Sequence, residues 1–188
     1  MSNNDSGISR KGAMDSTQLI HSTGELDELE NQVIAAAKRT VDALRKLLSE
    51  AEPLHAFSQM KFEPSGFHPT DDRSLNLIEQ INQTFTYLAS VHATRWLFQY
   101  HPDAAPFRLH LGTARGTDIE SLDGSIAAET FASVDPANNR KLDKDIDKVG
   151  CTAAAHKYVF YICPRDRISD ATILKRNAQV KIVSLGWK

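Results

Sequence analysis

Cys151 and Cys163 are the only cysteines in 188 residues, and neither lies in a CxxC or a ligand-like spacing. That excludes a disulfide framework and a thiolate zinc site, and two free thiols point to a reducing compartment, with the cytoplasm as the expected address. Long apolar runs are missing as well. No stretch approaches the roughly 18 residues a membrane span needs, and the opening MSNNDSGISRKGAMDST has no apolar signal core. The expectation is a chain that neither crosses a membrane nor is exported by that route. Excess charge is the third absence. Lys plus Arg number 22 against 24 Asp plus Glu, a formal net charge of −2. No global field then draws the chain to nucleic acid or to an anionic membrane, and any basic surface must be local. The seven histidines form no HxH or HExxH pattern, so His92 reads as packed or hydrogen-bonded, and no nucleophilic triad is supported. GTARG, residues 112 to 116, lacks the GK[ST] of a P-loop.

What is present is ordinary globular material, 41% hydrophobic and 24% charged. At this length roughly 70% of the unfolded surface can be buried, so a core needs no covalent staple. Residues 1 to 18 are rich in Ser, Asn, Gly and Asp and read as a disordered tail, leaving 19 to 188 as one α/β domain. From Ser22, SxxE offers a helix start, and Leu26, Leu29, Val33, Val41, Leu44 and Leu48 recur at helical spacing. This predicts a helical extension over 19 to 52, ended by Pro53. Pro53, Pro64, Gly66 and Pro69 then argue for an irregular connection through residue 73. A second helix carries Leu75, Ile78, Ile81, Phe85 and Leu88 on one face. Between Ser74 and Thr94 its only formal charge is Glu79, so it is either central in the fold or covered by a partner.

The period then changes. FRLHLG (107 to 112) alternates as a half-buried strand does, and TDIESL and SIAAETFASV flank Asp123-Gly124, a dipeptide suited to a two-residue hairpin turn. Asp135-Pro136 reads as an N-cap and first-turn proline for a short helix marked by Leu142, Ile146 and Val149. KYVFYIC (157 to 163) and QVKIVSL (179 to 185) read as further strands. With the reversal at 123 and 124, Leu122 faces Ser125 and Asp118 faces Glu129 across the strands. Glu120, Ala127 and Phe131 share their face, and Ile119, Ile126, Ala128 and Val134 go to the other, core-like face. Two directly opposed carboxylates repel unless something cationic lies between them. A divalent ion is the simplest candidate, and hard oxygen ligands favour magnesium or manganese.

The order helix, three strands, helix, strand and the segment GTDIESLDGSIAAETF resemble the PD-(D/E)XK nuclease superfamily over residues 74 to 164. The resemblance implies a restriction-endonuclease-like fold, a mixed central sheet flanked by helices, with the residues before 74 as an N-terminal extension. It also implies that Asp118 and Glu129 hold catalytic Mg2+ or Mn2+ with the carbonyl of Thr130, and that Glu79 on the first core helix joins them. Thr117 replaces the motif's proline. Phe131 replaces the motif's lysine, which in the family positions the attacking water and offsets transition-state charge. Lys141, Lys144 and Lys148 share a stripe of the following helix, and Lys141 or Lys144 is the preferred replacement, ahead of Lys157.

Weaker signals surround this constellation. NNRKLDKDIDK (138 to 148) alternates in sign, as an exposed helix face does. Asn138, Asn139 and Arg140 near its start, and Arg115 in the preceding connection, are candidate phosphate contacts. Two functions follow as expectations. One is a magnesium-dependent endonuclease acting on DNA. The other is an inactive relative serving as a nucleic-acid-binding or assembly module, with the 25 to 50 and 74 to 94 helices as the surface for a homodimer or protein partner.

Overall fold

A computed structural model of the chain describes residues 17–112, 116–136, 140–164 and 179–186. Six strands form one mixed sheet: β1 (Thr17–Ile20), β4 (Phe107–His110), β5 (Ile119–Ser121), β6 (Ile126–Ala132), β7 (His156–Ile162) and β8 (Val180–Ser184), in that spatial order. The pairings β1–β4, β4–β5 and β5–β6 are antiparallel, and β6–β7 and β7–β8 are parallel. Among the described residues four helices flank it: α1 (Thr23–Glu50), α2 (Pro53–Phe62), α3 (Leu77–Tyr100) and α4 (Lys141–Gly150). From α3 onward the order is helix, three strands, helix, strand, as the periodicity predicts. A small hairpin of β2 (Gly66–Phe67) and β3 (Ser74–Leu75) precedes α3.

Strand alternation sorts two cores. On β7, Tyr158, Phe160 and Ile162 join Ile126 and Ala128 of β6 under α1 and α3. Val159, Tyr161 and Cys163 point the other way and pack with Ala127 and Phe131 against Leu142, Ile146 and Val149 of α4. Burial on both faces is what a parallel pair with helices on each side requires. Phe131 is therefore core, and Val134, expected on the core-like face, is 67% exposed beyond the end of β6.

The charge-poor helix α3 is central. Tyr87, Ala89, Val91, Ala93, Thr94 and Leu97 are all fully buried between α1 and the sheet. Its few ionic contacts seal its junction with α1, where Arg95 reaches Asp27 and Glu30 at 2.7 and 2.9 Å and His92 Nε2 lies 3.1 Å from Glu30 Oε1. Burial would raise the Glu30 carboxyl, but the Arg95 and His92 bonds win and hold it below its usual value. The segment read as an extension shares this core, since Leu26, Leu29 and Val33 lie in the main cluster and Ile20 closes it from β1. Thr17 and Gln18, within the stretch read as a tail, pair with His110 and Leu109.

The connection over 53 to 73 is a further difference. Pro53 ends α1 but also opens α2, where a proline in the first turn costs no hydrogen bond. Only Ala56 of α2 is buried, so no apolar period announced it. The second difference is the hairpin. Gly124 has φ of 74° while Asp123 does not enter the left-handed region, so the reversal is not the two-residue turn that Asp-Gly suggests. Leu122 to Ser125 instead form a four-residue loop, held by Asp123 Oδ1 accepting from Ser121 Oγ, Ser125 N and Ser125 Oγ. The register survives because both loops leave the same residues opposed: Ile119 pairs with Ala128 and Glu120 with Ala127. The third is the start of α4, which is Lys141 after an Arg140 at φ 54°, so Asp135 and Pro136 do not cap it.

Candidate active site

The β5–β6 register brings Asp118 and Glu129 together. Asp118 sits one residue before β5, opposite Glu129, and its main-chain N–H donates to Glu129 Oε1 at 3.2 Å. Thr130 holds the other carboxylate: its N–H and its hydroxyl donate to Asp118 Oδ2 at 2.7 and 3.1 Å. Ser90 Oγ on α3 lies 2.9 Å from the Thr130 hydroxyl. Asp118 is thus fixed from the sheet and, through Thr130, from α3. Thr130 meets the pair through donors, where the family resemblance expected its carbonyl.

Glu129 points toward α4 and its side chain is only 2% exposed. Lys148 Nζ is 2.8 Å from Glu129 Oε1. Burial and the like charge of Asp118 push the Glu129 carboxyl up to about 7, against the pull of Lys148. Burial would lower the Lys148 ammonium, but Glu129, with Asp118 and Asp145 behind it, holds it above the usual lysine value. Asp145, one helical turn from Lys148 on α4, is buried and has an Oδ2 with no partner among the described residues. Its Oδ1 takes Lys141 Nζ at 2.5 Å. Burial first, and then the charge of Asp118, raises the Asp145 carboxyl. Three carboxylates and two lysines therefore act on one another where α4 crosses β6.

Beside Asp118 a cleft of about 790 Å³ opens at the carboxyl ends of β6 and β7, between α3 and the first turn of α4. Lys141 and Lys144 line it. In open α/β sheets this end of the strands is where ligands bind.

The site residues named from sequence divide accordingly. Asp118, Glu129 and Thr130 are assembled. Lys141 and Lys144 reach the cleft, but the lysine on Glu129 is Lys148, third of the same stripe. Lys157 donates to the Gly150 carbonyl. Glu79 is not brought to the pair. It lies eleven residues before Ser90 on α3, roughly 16 Å along the axis; its carboxylate accepts from Gln83 and acts on His68. Arg140 is exposed beside Asp143. Arg115, Asn138 and Asn139 lie outside the described residues. Sequence reasoning missed Asp145, because an acid inside DKDIDK looks solvated until the helix is docked.

Among the described residues no group of three or more His, Cys, Asp or Glu side chains is arranged to hold a metal ion. The Asp118–Glu129 pair still fits a small hard cation in kind. Each keeps one oxygen, Asp118 Oδ1 and Glu129 Oε2, without a hydrogen bond among the described residues. Magnesium commonly takes one or two protein carboxylates and fills its shell with waters and substrate phosphate. Among the described residues no helix is long and apolar enough to cross a membrane. Compared with protein-family models, curated proteins and solved structures, the chain matches none.

Proposed function

We propose that the chain is a Mg2+- or Mn2+-dependent nuclease that hydrolyses phosphodiester bonds in DNA, on a restriction-endonuclease-like core. The observation that carries this reading is the opposition of Asp118 and Glu129 with a lysine ammonium on Glu129, reached from the helix that follows the strand. Asp118 and Glu129 would hold the ion, which when bound supplies an acidified water and offsets charge on the phosphate. Thr130 and Ser90 orient Asp118. Lys148 draws the Glu129 carboxyl down to about 7, so that it is half ionised at neutrality, where burial and the charge of Asp118 alone would hold it higher still. As a cation beside the pair, it would also offset negative charge developing on a phosphate held by the ion, which is the task of the lysine that Phe131 replaces. Lys141 and Lys144 take flanking phosphates along the cleft. Nicking of supercoiled DNA with Mg2+ or Mn2+ tests the reading: cleavage must be lost in Glu129→Gln and Asp118→Asn. Cleavage that persists in both, or its absence from the native chain, overturns it.

A specific observation favours the second reading, a non-catalytic module that assembles with a partner. Ile34, Val41 and Leu48 are 54%, 45% and 60% exposed at seven-residue intervals on α1, a stripe separate from the one facing α3. On α3, Ile78 and Ile81 near its N-terminal end are also exposed, while the stretch from Tyr87 to Leu97 is largely covered by α1 and the sheet. Under this reading Lys148 and Lys141 simply neutralise buried acids. Sedimentation equilibrium and nicking together separate the two: this reading expects a native chain that nicks nothing and an assembly that Val41→Glu dissociates, and a native chain that sediments as a monomer overturns it.

A further inference from the structure

Asp145 is the one carboxylate of the cluster that the proposed chemistry does not use. Its side chain is 4% exposed, and its two oxygens are in unequal positions. Oδ1 takes the Lys141 ammonium, while Oδ2 is buried and has no hydrogen-bond partner among the described residues. Buried carboxylate oxygens are ordinarily satisfied, because an unpaired one has given up its hydration without replacement. The charged groups that act on this carboxyl are Lys141, Asp118 and Lys148. Asp118 is an acid and Lys141 is already engaged at Oδ1, so Lys148 is the donor of the three that Oδ2 can receive.

Lys148 is placed to make that move. Residues three apart on a helix are neighbours on its surface, and the lysine side chain is 47% exposed, so packing does not lock it. Its ammonium lies on Glu129 Oε1 at 2.8 Å and already feels the charge of Asp145. One ammonium thus stands between two buried carboxylates and satisfies one of them. A divalent cation decides which. Held by Asp118 and Glu129, it puts a second positive centre on the carboxylate that the ammonium occupies, and like charges that close repel strongly where water is largely excluded. Lys148 is then driven off Glu129, toward the acceptor that has no partner.

We infer that Asp145 is a positioning residue whose Oδ2 takes the Lys148 ammonium when a divalent cation occupies Glu129, so that the lysine yields its place to the ion and stays beside it. The inference rests on the proposed function for the ion. The test is calorimetric titration of the full chain with Mg2+ at pH 8, in the native chain, Asp145→Asn, Lys148→Met and the double variant. Asparagine has the shape of aspartate and keeps a carbonyl for Lys141; Asp145→Ala repeats the comparison without an amide in the pocket. Each comparison stays within one background at position 148, so any change in the Glu129 proton caused by losing the lysine cancels. Asp145→Asn weakens Mg2+ binding about tenfold or more, the usual cost of losing a group that supports a metal ligand from behind. In the Lys148→Met background the same substitution changes affinity by less than about twofold, since no ammonium is left to receive. Equal losses in the two backgrounds overturn the inference, because Asp145 then acts on the ion through its charge alone. An affinity unchanged by both Asp145→Asn and Asp145→Ala overturns it too. Nicking assays on the same chains separate its failure from that of the nuclease reading. Affinities coupled in this way in a chain that nicks no DNA keep the exchange and remove the nuclease. Equal losses in a native chain that nicks keep the nuclease and remove the exchange, and a native chain that binds no Mg2+ removes the exchange whatever it cuts.

Discussion

Lys148 Nζ lies 2.8 Å from Glu129 Oε1, which joins the last turn of α4 to the middle of β6. The lysine side chain is about half exposed while the carboxylate is almost wholly buried. The ammonium is thus the means by which a charge can be kept in the interior. Removing it leaves an acid that either neutralises or remains unpaired.

Lys148→Met therefore abolishes nicking at pH 7, by about a hundredfold or more as for other lost transition-state charges, and Lys148→Arg restores part of it. Its stability cost depends on pH. Near pH 8, where Glu129 is ionised, the loss is about 1–2 kcal/mol after allowing for the half-exposed lysine. At pH 5 Glu129 is protonated in the folded chain and the loss nearly vanishes. Urea denaturation of both chains at the two pH values reads this directly.

Glu129 imposes its own pH dependence. Its folded value of about 7 lies above the ordinary 4.5. Between those values the unfolded chain has released a proton that the folded chain retains. Stability then falls as pH rises from 4.5 to 7 and is level above, by an upper bound of about 3 kcal/mol. Glu129→Gln flattens this slope in denaturant titrations across pH; an unchanged slope assigns it to another group.

Metal binding runs the other way with pH. A cation must displace the Glu129 proton, so affinity for Mg2+ or Mn2+ rises close to tenfold per pH unit up to about 7 and then levels. Thermal melts with metal show a gain in the native chain that grows across this range, and none in Asp118→Ala.

Thr130 and Glu79 give a contrast between a residue in the site and one outside it. Thr130→Val removes the hydroxyl between Ser90 and Asp118, costs about 1 kcal/mol and lowers cleavage at fixed metal. Raising Mn2+ recovers part of the rate, because the carboxylate is present but less well held. Glu79→Ala changes cleavage by less than about twofold, since nothing links it to Asp118 across roughly 16 Å of helix. A loss comparable to Asp118→Asn would place Glu79 in the site after all.

How far the site was legible can be followed residue by residue. Asp118 opposite Glu129 required only the parity of the strands about residues 123 and 124, and parity is indifferent to whether the loop holds two residues or four. Lys148 required more. Lys141, Lys144 and Lys148 are equivalent on a helical wheel, and only the depth at which α4 docks through Leu142, Ile146 and Val149 selects among them. α2 left no periodic trace because it buries a single residue.

By itself, then, the amino-acid order determined where period-2 and period-3.6 patterns fall, that the strands flanking residues 123 and 124 pair, and that a helix nearly free of charge had to be either central or covered by a partner. These properties are local or are set by alternation, which a linear chain carries in full. Tertiary packing decided which lysine meets Glu129, that Asp145 is interior, that Glu79 stays with His68, and that a cleft opens beside Asp118. Each of these depends on distances between elements far apart in the chain, and those are fixed only when the two cores close on opposite faces of the sheet.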